Sequence, residues 1–204
     1  TIGGDHATAF GAIRAHAGQF GDFGILHIDA HADLRRDYEG FTCSHASVMD
    51  AVCEQLPQVT RLVQVGVRDF CEEEAERISE SGGRIVTHFD ADLNRRLFSG
   101  ETWAALSAEI IEPLPEKVYV SFDIDGLDPG LCPHTGTPVP GGLSFVQACF
   151  LLQALARSGR QIIGFDLVEV APGPDGDEWD GNVGARLVYK LIGFALQSVP
   201  STDS

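Results

Sequence analysis

Gly24-Ile25-Leu26-His27-Ile28 runs without a break into Asp29-Ala30-His31-Ala32-Asp33. A short apolar run that ends on a carboxylate reads as a buried strand delivering a charged side chain to its tip. Four other segments have the same apolar character: RLVQVGV at 61–67, GRIVTHF at 83–89, KVYVSFD at 117–123 and QIIGFDL at 161–167. Between them lie amphipathic helical patterns over about 45–56, 71–81, 101–111 and 144–158. AFGAIRAHAG at 9–18 adds a short helix ended by Gly18, and a terminal helix near 183–197 follows a polar loop, APGPDGDEWDGN, at 171–182. Strand alternating with helix implies an α/β fold, a mostly parallel sheet covered on both faces. Ligands of such a sheet sit beyond the carboxyl ends of its strands.

The two richest strand ends carry chemistry. If extended geometry persists past Ile28, the two-residue period puts Asp29, His31 and Asp33 on one side and the alanines on the other. Asp33 has an alternative use as a helix cap. The second end reads Ser121-Phe122-Asp123-Ile124-Asp125-Gly126-Leu127-Asp128-Pro129, where Asp123 and Asp125 share a side. Carboxylates crowded at a buried sheet end are expensive unless cations compensate them. Asp128, before Pro129, is placed to build the turn. His6 follows Gly3-Gly4-Asp5 at another strand-to-helix junction and adds an imidazole, so the donors mix nitrogen and oxygen in a way that suits manganese, with zinc, nickel or iron also compatible. Asp5 beside it is assigned an orienting or charge-balancing role. One cation takes His6, Asp29, Asp33 and Asp123; the other takes Asp29, His31, Asp123 and Asp125. Such a pair deprotonates water and presents hydroxide to an electrophilic carbon, so hydrolysis is the expected reaction class.

The whole-chain properties narrow the partners. Thirty acidic against fourteen basic residues give a formal charge of −16, which argues against nucleic acid or an anionic membrane surface. No stretch approaches the roughly 20 apolar residues of a membrane span, and no signal peptide opens the chain, so a cytoplasmic protein is expected. Cys43, Cys53, Cys71, Cys132 and Cys149 form no C-x-x-C pair and read as reduced thiols, Cys132 alone lying beside a functional-looking loop. No internal repeat or linker divides residues 1–204, which read as a single domain. Thr1-Ile2 leads straight into Gly3-Gly4-Asp5-His6, as if a strand were already ending, so the chain is expected to be the C-terminal portion of a longer protein.

GGDH at 3–6, DAHAD at 29–33, SFDIDGLDP at 121–129, TGTPVPGGL at 135–143 and DLVEVAP at 166–172 together resemble the arginase and agmatinase family of ureohydrolases, in the family's order. The resemblance implies a three-layer arginase-like α/β fold, a centre of two Mn2+ ions and hydrolysis of a guanidino group. It implies the same six metal ligands: His6, Asp29, His31, Asp33, Asp123 and Asp125. It gives His45, in TCSHASVM, the catalytic or proton-shuttling role. Glu169 corresponds to the carboxylate that contacts the substrate guanidinium, and Asp166 to a supporting residue near the metals. A histidine of near-neutral pKa suits proton transfer to the leaving amine, and a carboxylate suits the directional donors of a guanidinium. Gly136, Gly141 and Gly142 shape the loop beneath the substrate, while Thr135 and Thr137 supply hydroxyls. CPHTGTP departs from relatives that place glycine before the first threonine, so His134 alters loop shape or contacts substrate.

The SHAS segment around His45 is similar to bacterial agmatinase-type members, and YEGFTCSHAS lacks evident residues for reading an α-carboxylate. The expected substrate is therefore a small cationic guanidino compound, agmatine, cleaved to urea and putrescine for polyamine biosynthesis. Alternatives are guanidinobutyrate, arginine, formimidoylglutamate bound through Arg35, Arg36 and Arg68, or a non-enzymatic metal-binding assembly domain. The resemblance also implies a homo-trimer or homo-hexamer.

Overall fold

In the computed structural model, which describes residues 1–199, five parallel strands are ordered β3-β2-β1-β4-β5. They are β1 (Phe23–Ile28), β2 (Val59–Val67), β3 (Ile85–Phe89), β4 (Lys117–Asp123) and β5 (Gln161–Val168). Every residue of β1, the central strand, is buried, as its unbroken apolar run demands of a strand covered on both faces. Among the described residues seven α-helices connect and flank the strands: α1 (Ala9–Phe20), α2 (Val48–Gln55), α3 (Glu72–Glu80), α4 (Asp90–Phe98), α5 (Trp103–Ile111), α6 (Phe145–Arg157) and α7 (Trp179–Gln197).

Side-chain alternation along the strands sorts the core into two layers. Leu26, Ile28, Val118, Val120 and Phe122 point to the face packed by Leu93 of α4, Leu106 and Ile110 of α5, Leu151 of α6 and Leu187 of α7. Phe23, Ile25 and Tyr119 point to the opposite face, against Ile13 of α1, Met49 and Val52 of α2 and Ile78 of α3. Helix on sheet on helix is the three-layer arrangement expected from the sequence. Among the described residues no helix is long and apolar enough to cross a membrane.

Several boundaries differ from the sequence reading. Gly18 does not end α1; the helix continues to Phe20, and the left-handed residue that stops it is Gly21, with φ 67°. His45–Ser47 forms a 3-10 turn ahead of α2, and Ser44 and Ser47 cap it reciprocally. The polar loop at 171–182 is shorter than expected, because α7 begins at Trp179. The sequence reading has no helix at α4, whose apolar side is carried by Leu93 and Leu97 alone. Its ends nevertheless obey the helix dipole, with Asp90 and Asp92 in the first turn and Arg95 and Arg96 in the last.

Candidate metal centre

On the face that β1 and β4 turn toward α1 and α2, the strand residues become polar as the chain approaches the carboxyl end of the sheet. Ile25 is followed by His27 and then Asp29; Tyr119 is followed by Ser121 and then Asp123, all of them buried. Gly126 lets the two strand ends meet: a Cβ there would lie 2.8 Å from the Asp29 amide nitrogen.

His6 stands at the middle of this arrangement. Its Nδ1 lies 3.0 Å from Asp33 Oδ2, 3.1 Å from Asp29 Oδ2 and 3.3 Å from Asp123 Oδ2. Ser121 Oγ donates to Asp166 Oδ1 at 2.9 Å, so the serine oxygen accepts the His6 Nε2 proton at 3.0 Å. That chain occupies Nε2 and leaves Nδ1 as the ring nitrogen aimed among three carboxylates. Neither His6 Nδ1 nor Asp33 Oδ2 has a hydrogen-bond partner, although both atoms are buried. A second group forms beside it, with His31 Nδ1 3.1 Å from Asp125 Oδ2 and 3.4 Å from Asp29 Oδ1.

Donor atoms of His6, His27, Asp29 and Asp33 lie within 4.8 Å of one another, and so do those of Asp29, His31 and Asp125. Asp29 belongs to both groups; Asp123 reaches the first through Oδ2 and uses Oδ1 to accept the Asp125 amide at 2.9 Å. His27 is within the cluster, but Gln64 donates to its Nδ1 at 3.0 Å, so its Nε2 proton goes to Asp29 Oδ2 at 2.8 Å. It therefore supports Asp29, the role that its place two residues before Asp29 suggests, and Thr87 in turn fixes Gln64 at 2.8 Å.

Electrostatics mark the same atoms. Burial and the charges of Asp29 and Asp125 hold the Asp123 carboxyl well above its ordinary range, while burial and Asp29 raise Asp33. Burial also works against charge on Asp29, but His27, His31 and His6 outweigh it and hold that carboxyl well below 3.8. Burial pulls the His31 imidazole down, yet Asp125 and Asp29 push it up to about 11. Burial opposes charge on His6 too, and Asp123, Asp29 and Asp33 override it to raise the imidazole well above 6.5. Protons on the histidines thus offset a surplus of buried negative charge. Divalent cations held by the same oxygens and nitrogens would perform that task, and the unsatisfied His6 Nδ1 fits a metal donor.

Backbone strain falls on two site residues. Asp33 has φ 55° and Glu169 φ 61°, the left-handed region that costs a non-glycine residue about 1–3 kcal/mol. For Asp33 this corrects the expectation that extended geometry persists along 29–33. The chain curls after Ala32, and the Asp33 carbonyl accepts the Met49 and Asp50 amides, so its side chain turns back toward His6 rather than capping a helix.

Glu169 follows β5 and is held from both sides. Its Oε1 accepts the His6 amide at 2.7 Å, its own amide donates to Gly4 O at 3.0 Å, and Thr135 Oγ1 donates to its carbonyl at 2.8 Å. Burial raises its carboxyl above 4.5. Thr137 Oγ1 donates to Asp125 Oδ2 at 3.3 Å, so the 135–137 loop touches both Glu169 and the second donor group. His45 stands further out, with a half-buried side chain whose Nδ1 lies 3.4 Å from Asp5 Oδ2. The Tyr38 ring meets it edge-on at 5.4 Å between centroids, and the Arg35 guanidinium covers Tyr38 at 5.3 Å. Asp5 keeps its other oxygen on the Ala7 amide at 2.8 Å, so it links His45 to the turn carrying His6.

Two of the three arginines considered for a basic pocket are engaged elsewhere. Arg68 donates to the carbonyls of Gly66, Asp125, Leu127 and Val139, and Arg35 lies over Tyr38 and beside Glu74, while Arg36 is exposed. Cys132 is a buried free thiol, pushed up to about 12 chiefly by burial, and its Sγ donates to Ile124 O at 3.3 Å. A cavity of about 1050 Å3 lies between Phe145, residues 170–172 and α7, and none of the metal-type donors lines it. The sequence alone assigns no role to Ser121, Gln64 or Asp180, and it offers Arg68 only as part of a basic pocket. Ser121 and Gln64 have a legible signal, since each is a polar residue in the middle of an otherwise apolar strand.

A family model described as Arginase family matches residues 1–193. Over 193 residues the chain is 38% identical to N(1)-aminopropylagmatine ureohydrolase of Thermus thermophilus, covering 95% of this chain and 61% of that protein. It is 33% identical over 202 residues to an agmatinase of Bacillus subtilis, covering 95% and 62%. Among solved structures, an arginase from Medicago truncatula superposes with a TM-score of 0.78 at 34% identity, covering 96% of this chain and 58% of that one. The chain thus spans about three-fifths of the length of these relatives.

Proposed function

Because the chain belongs to the arginase family, we propose that it carries the active site of a metal-dependent ureohydrolase acting on agmatine or a close derivative. The observation that carries this reading is the pairing of two adjoining donor groups with a strained, anchored carboxylate at Glu169. His6, Asp29, Asp33 and Asp123 would hold one cation, and Asp29, His31, Asp123 and Asp125 the other, with manganese the metal of choice. Bound there, the pair supplies Lewis acidity and lowers the pKa of water so that a nucleophile is available near neutral pH.

The chain's own residues supply the rest. Glu169 presents Oε2 to the guanidinium while Oε1 stays on the His6 amide, which fixes the distance between the substrate carbon and the donor groups. His45, half-exposed and oriented by Asp5, is the group to hand a proton to the departing amine. Asp166, through Ser121, keeps the His6 ring in the tautomer that leaves Nδ1 free. The chain's net charge of −16 and the engagement of Arg68 with backbone carbonyls favour a substrate whose far end is cationic rather than carboxylate.

N(1)-Aminopropylagmatine is a second reading, favoured by the 38% identity to a protein named for it. The deciding assay is urea release from agmatine, N(1)-aminopropylagmatine, guanidinobutyrate and arginine by the manganese-loaded protein beside Asp123→Ala. Agmatine turnover lost in Asp123→Ala is the expected result. Strong turnover of another compound with none of agmatine overturns the substrate, and no turnover of any overturns the enzymatic reading.

A further inference from the structure

Asp180, in the first turn of α7, is fully buried, and the partners of its carboxylate are both on His134. Oδ2 accepts the His134 amide at 3.0 Å and Oδ1 accepts Nδ1–H at 2.9 Å. A buried carboxylate spent wholly on one residue is an anchor for that residue's backbone as well as its ring. Trp179 tightens the same grip, its Nε1 donating to Gly130 O at 3.1 Å. The imidazole lies where a side chain at residue 173 would go: a Cβ on Gly173 would come within 2.7 Å of the ring. His134 therefore wedges between the loop that follows Glu169 and the first turn of α7.

Its neighbour Thr135 donates to the Glu169 carbonyl, and Glu169 sits in a left-handed conformation that persists only where its surroundings over-determine it. On one side Gly4 and the His6 amide fix Glu169; on the other the contacts are Thr135 and, through His134, Asp180. We propose that His134 and Asp180 form a latch that positions Glu169 for the substrate guanidinium, so that both act as positioning residues of the ureohydrolase site. The inference rests on the function proposed above.

The test compares His134→Ala, His134→Asn and Asp180→Asn in the manganese-loaded protein. Asparagine places an amide N–H near the position of Nδ1 and preserves the bond to Asp180; alanine does not. His134→Ala and Asp180→Asn are expected to raise KM for agmatine about tenfold with kcat within about threefold, the loss of one hydrogen bond to a charged group. His134→Asn is expected to restore KM. Amide hydrogen exchange should accelerate at 133–137 and 168–173 in His134→Ala and return to the wild-type rate in His134→Asn. An unchanged KM in His134→Ala, or equal damage in His134→Asn, overturns the latch, and His134→Asn keeps the test decisive if Asp180→Asn fails to fold. If the wild type hydrolyses no guanidino compound, the functional reading falls, and the exchange rates still decide whether the latch exists.

Discussion

The carboxyl ends of β2 and β3 and those of β1 and β4 lie side by side in one sheet, and both bury charge, but they dispose of it differently. At β2 and β3 each charge ends on the backbone: Arg68 donates to four carbonyls, and the buried Asp90 accepts the Gly142 amide at 3.3 Å. At β1 and β4 the carboxylates face one another and share histidines, and the buried His6 Nδ1 and Asp33 Oδ2 at their centre find no hydrogen-bond partner. A charge that the fold itself satisfies is scaffolding. A cluster that the fold leaves unsatisfied is built to receive something from outside.

The most forceful way to break this comparison is Asp123→Asn. Its carboxyl is held well above the ordinary range by burial and by Asp29 and Asp125, so the charge itself is unfavourable in the metal-free fold. Metal-free Asp123→Asn should melt no lower than wild type, while the proposed ureohydrolase activity is expected to fall by more than about 100-fold, beyond what the loss of an outer-shell partner causes. Manganese should raise the melting temperature of wild type and not of the variant, because a cation binding only the folded state stabilises it by mass action. Parallel thermal melts with and without manganese check this; a large destabilisation of the metal-free variant would make Asp123 scaffolding after all. Next in size is His45→Ala, expected to lower kcat by about 100-fold, the low end for a lost proton-transfer group, with manganese content unchanged by elemental analysis.

How much of this was legible in the sequence follows from where the information lies. All five strands and the layered fold could be read, because apolar runs broken by acids are strong local signals. The residues that gather at the sheet end could be named as well, since Asp29, His31, Asp123 and Asp125 sit at the ends of such runs. The path by which Asp33 arrives could not be read, because a two-residue period predicts an extended chain and Asp33 instead takes a left-handed turn fixed by Met49 and Asp50 across the fold. Helix α4 was missed because only two leucines carry its buried side. Arg68, placed with Arg35 and Arg36 as a possible substrate-binding base, is a brace, and only the carbonyls of residues 125, 127 and 139 reveal it.

Arg68→Met sharpens the comparison from the scaffold side. It retains the aliphatic stem but strands carbonyls of Asp125, Leu127 and Val139 near the sheet end, so stability should fall by about 2–3 kcal/mol. Chemical denaturation measures the loss. The folded fraction should still bind manganese, because no donor side chain is removed, and a loss of metal without a loss of stability would place Arg68 in the centre rather than beneath it.

The smallest effect is expected at His88, on the edge strand β3. Burial holds its imidazole below 6.5, and its Nε2 is buried without a hydrogen-bond partner. A depressed folded pKa means that the fold binds the proton less well than the unfolded chain does. The contribution to stability is therefore complete above about pH 6.5 and is lost as pH falls through the folded value. His88→Phe cannot titrate, so its stability relative to wild type should improve as pH drops from 7.5 to 5, in paired denaturation curves. A pH-independent difference would mean that His88 binds its proton equally in both states. In that case burial at the end of β3 would not tax a charge, and the contrast with β1 and β4 would rest on their crowded carboxylates rather than on depth in the sheet.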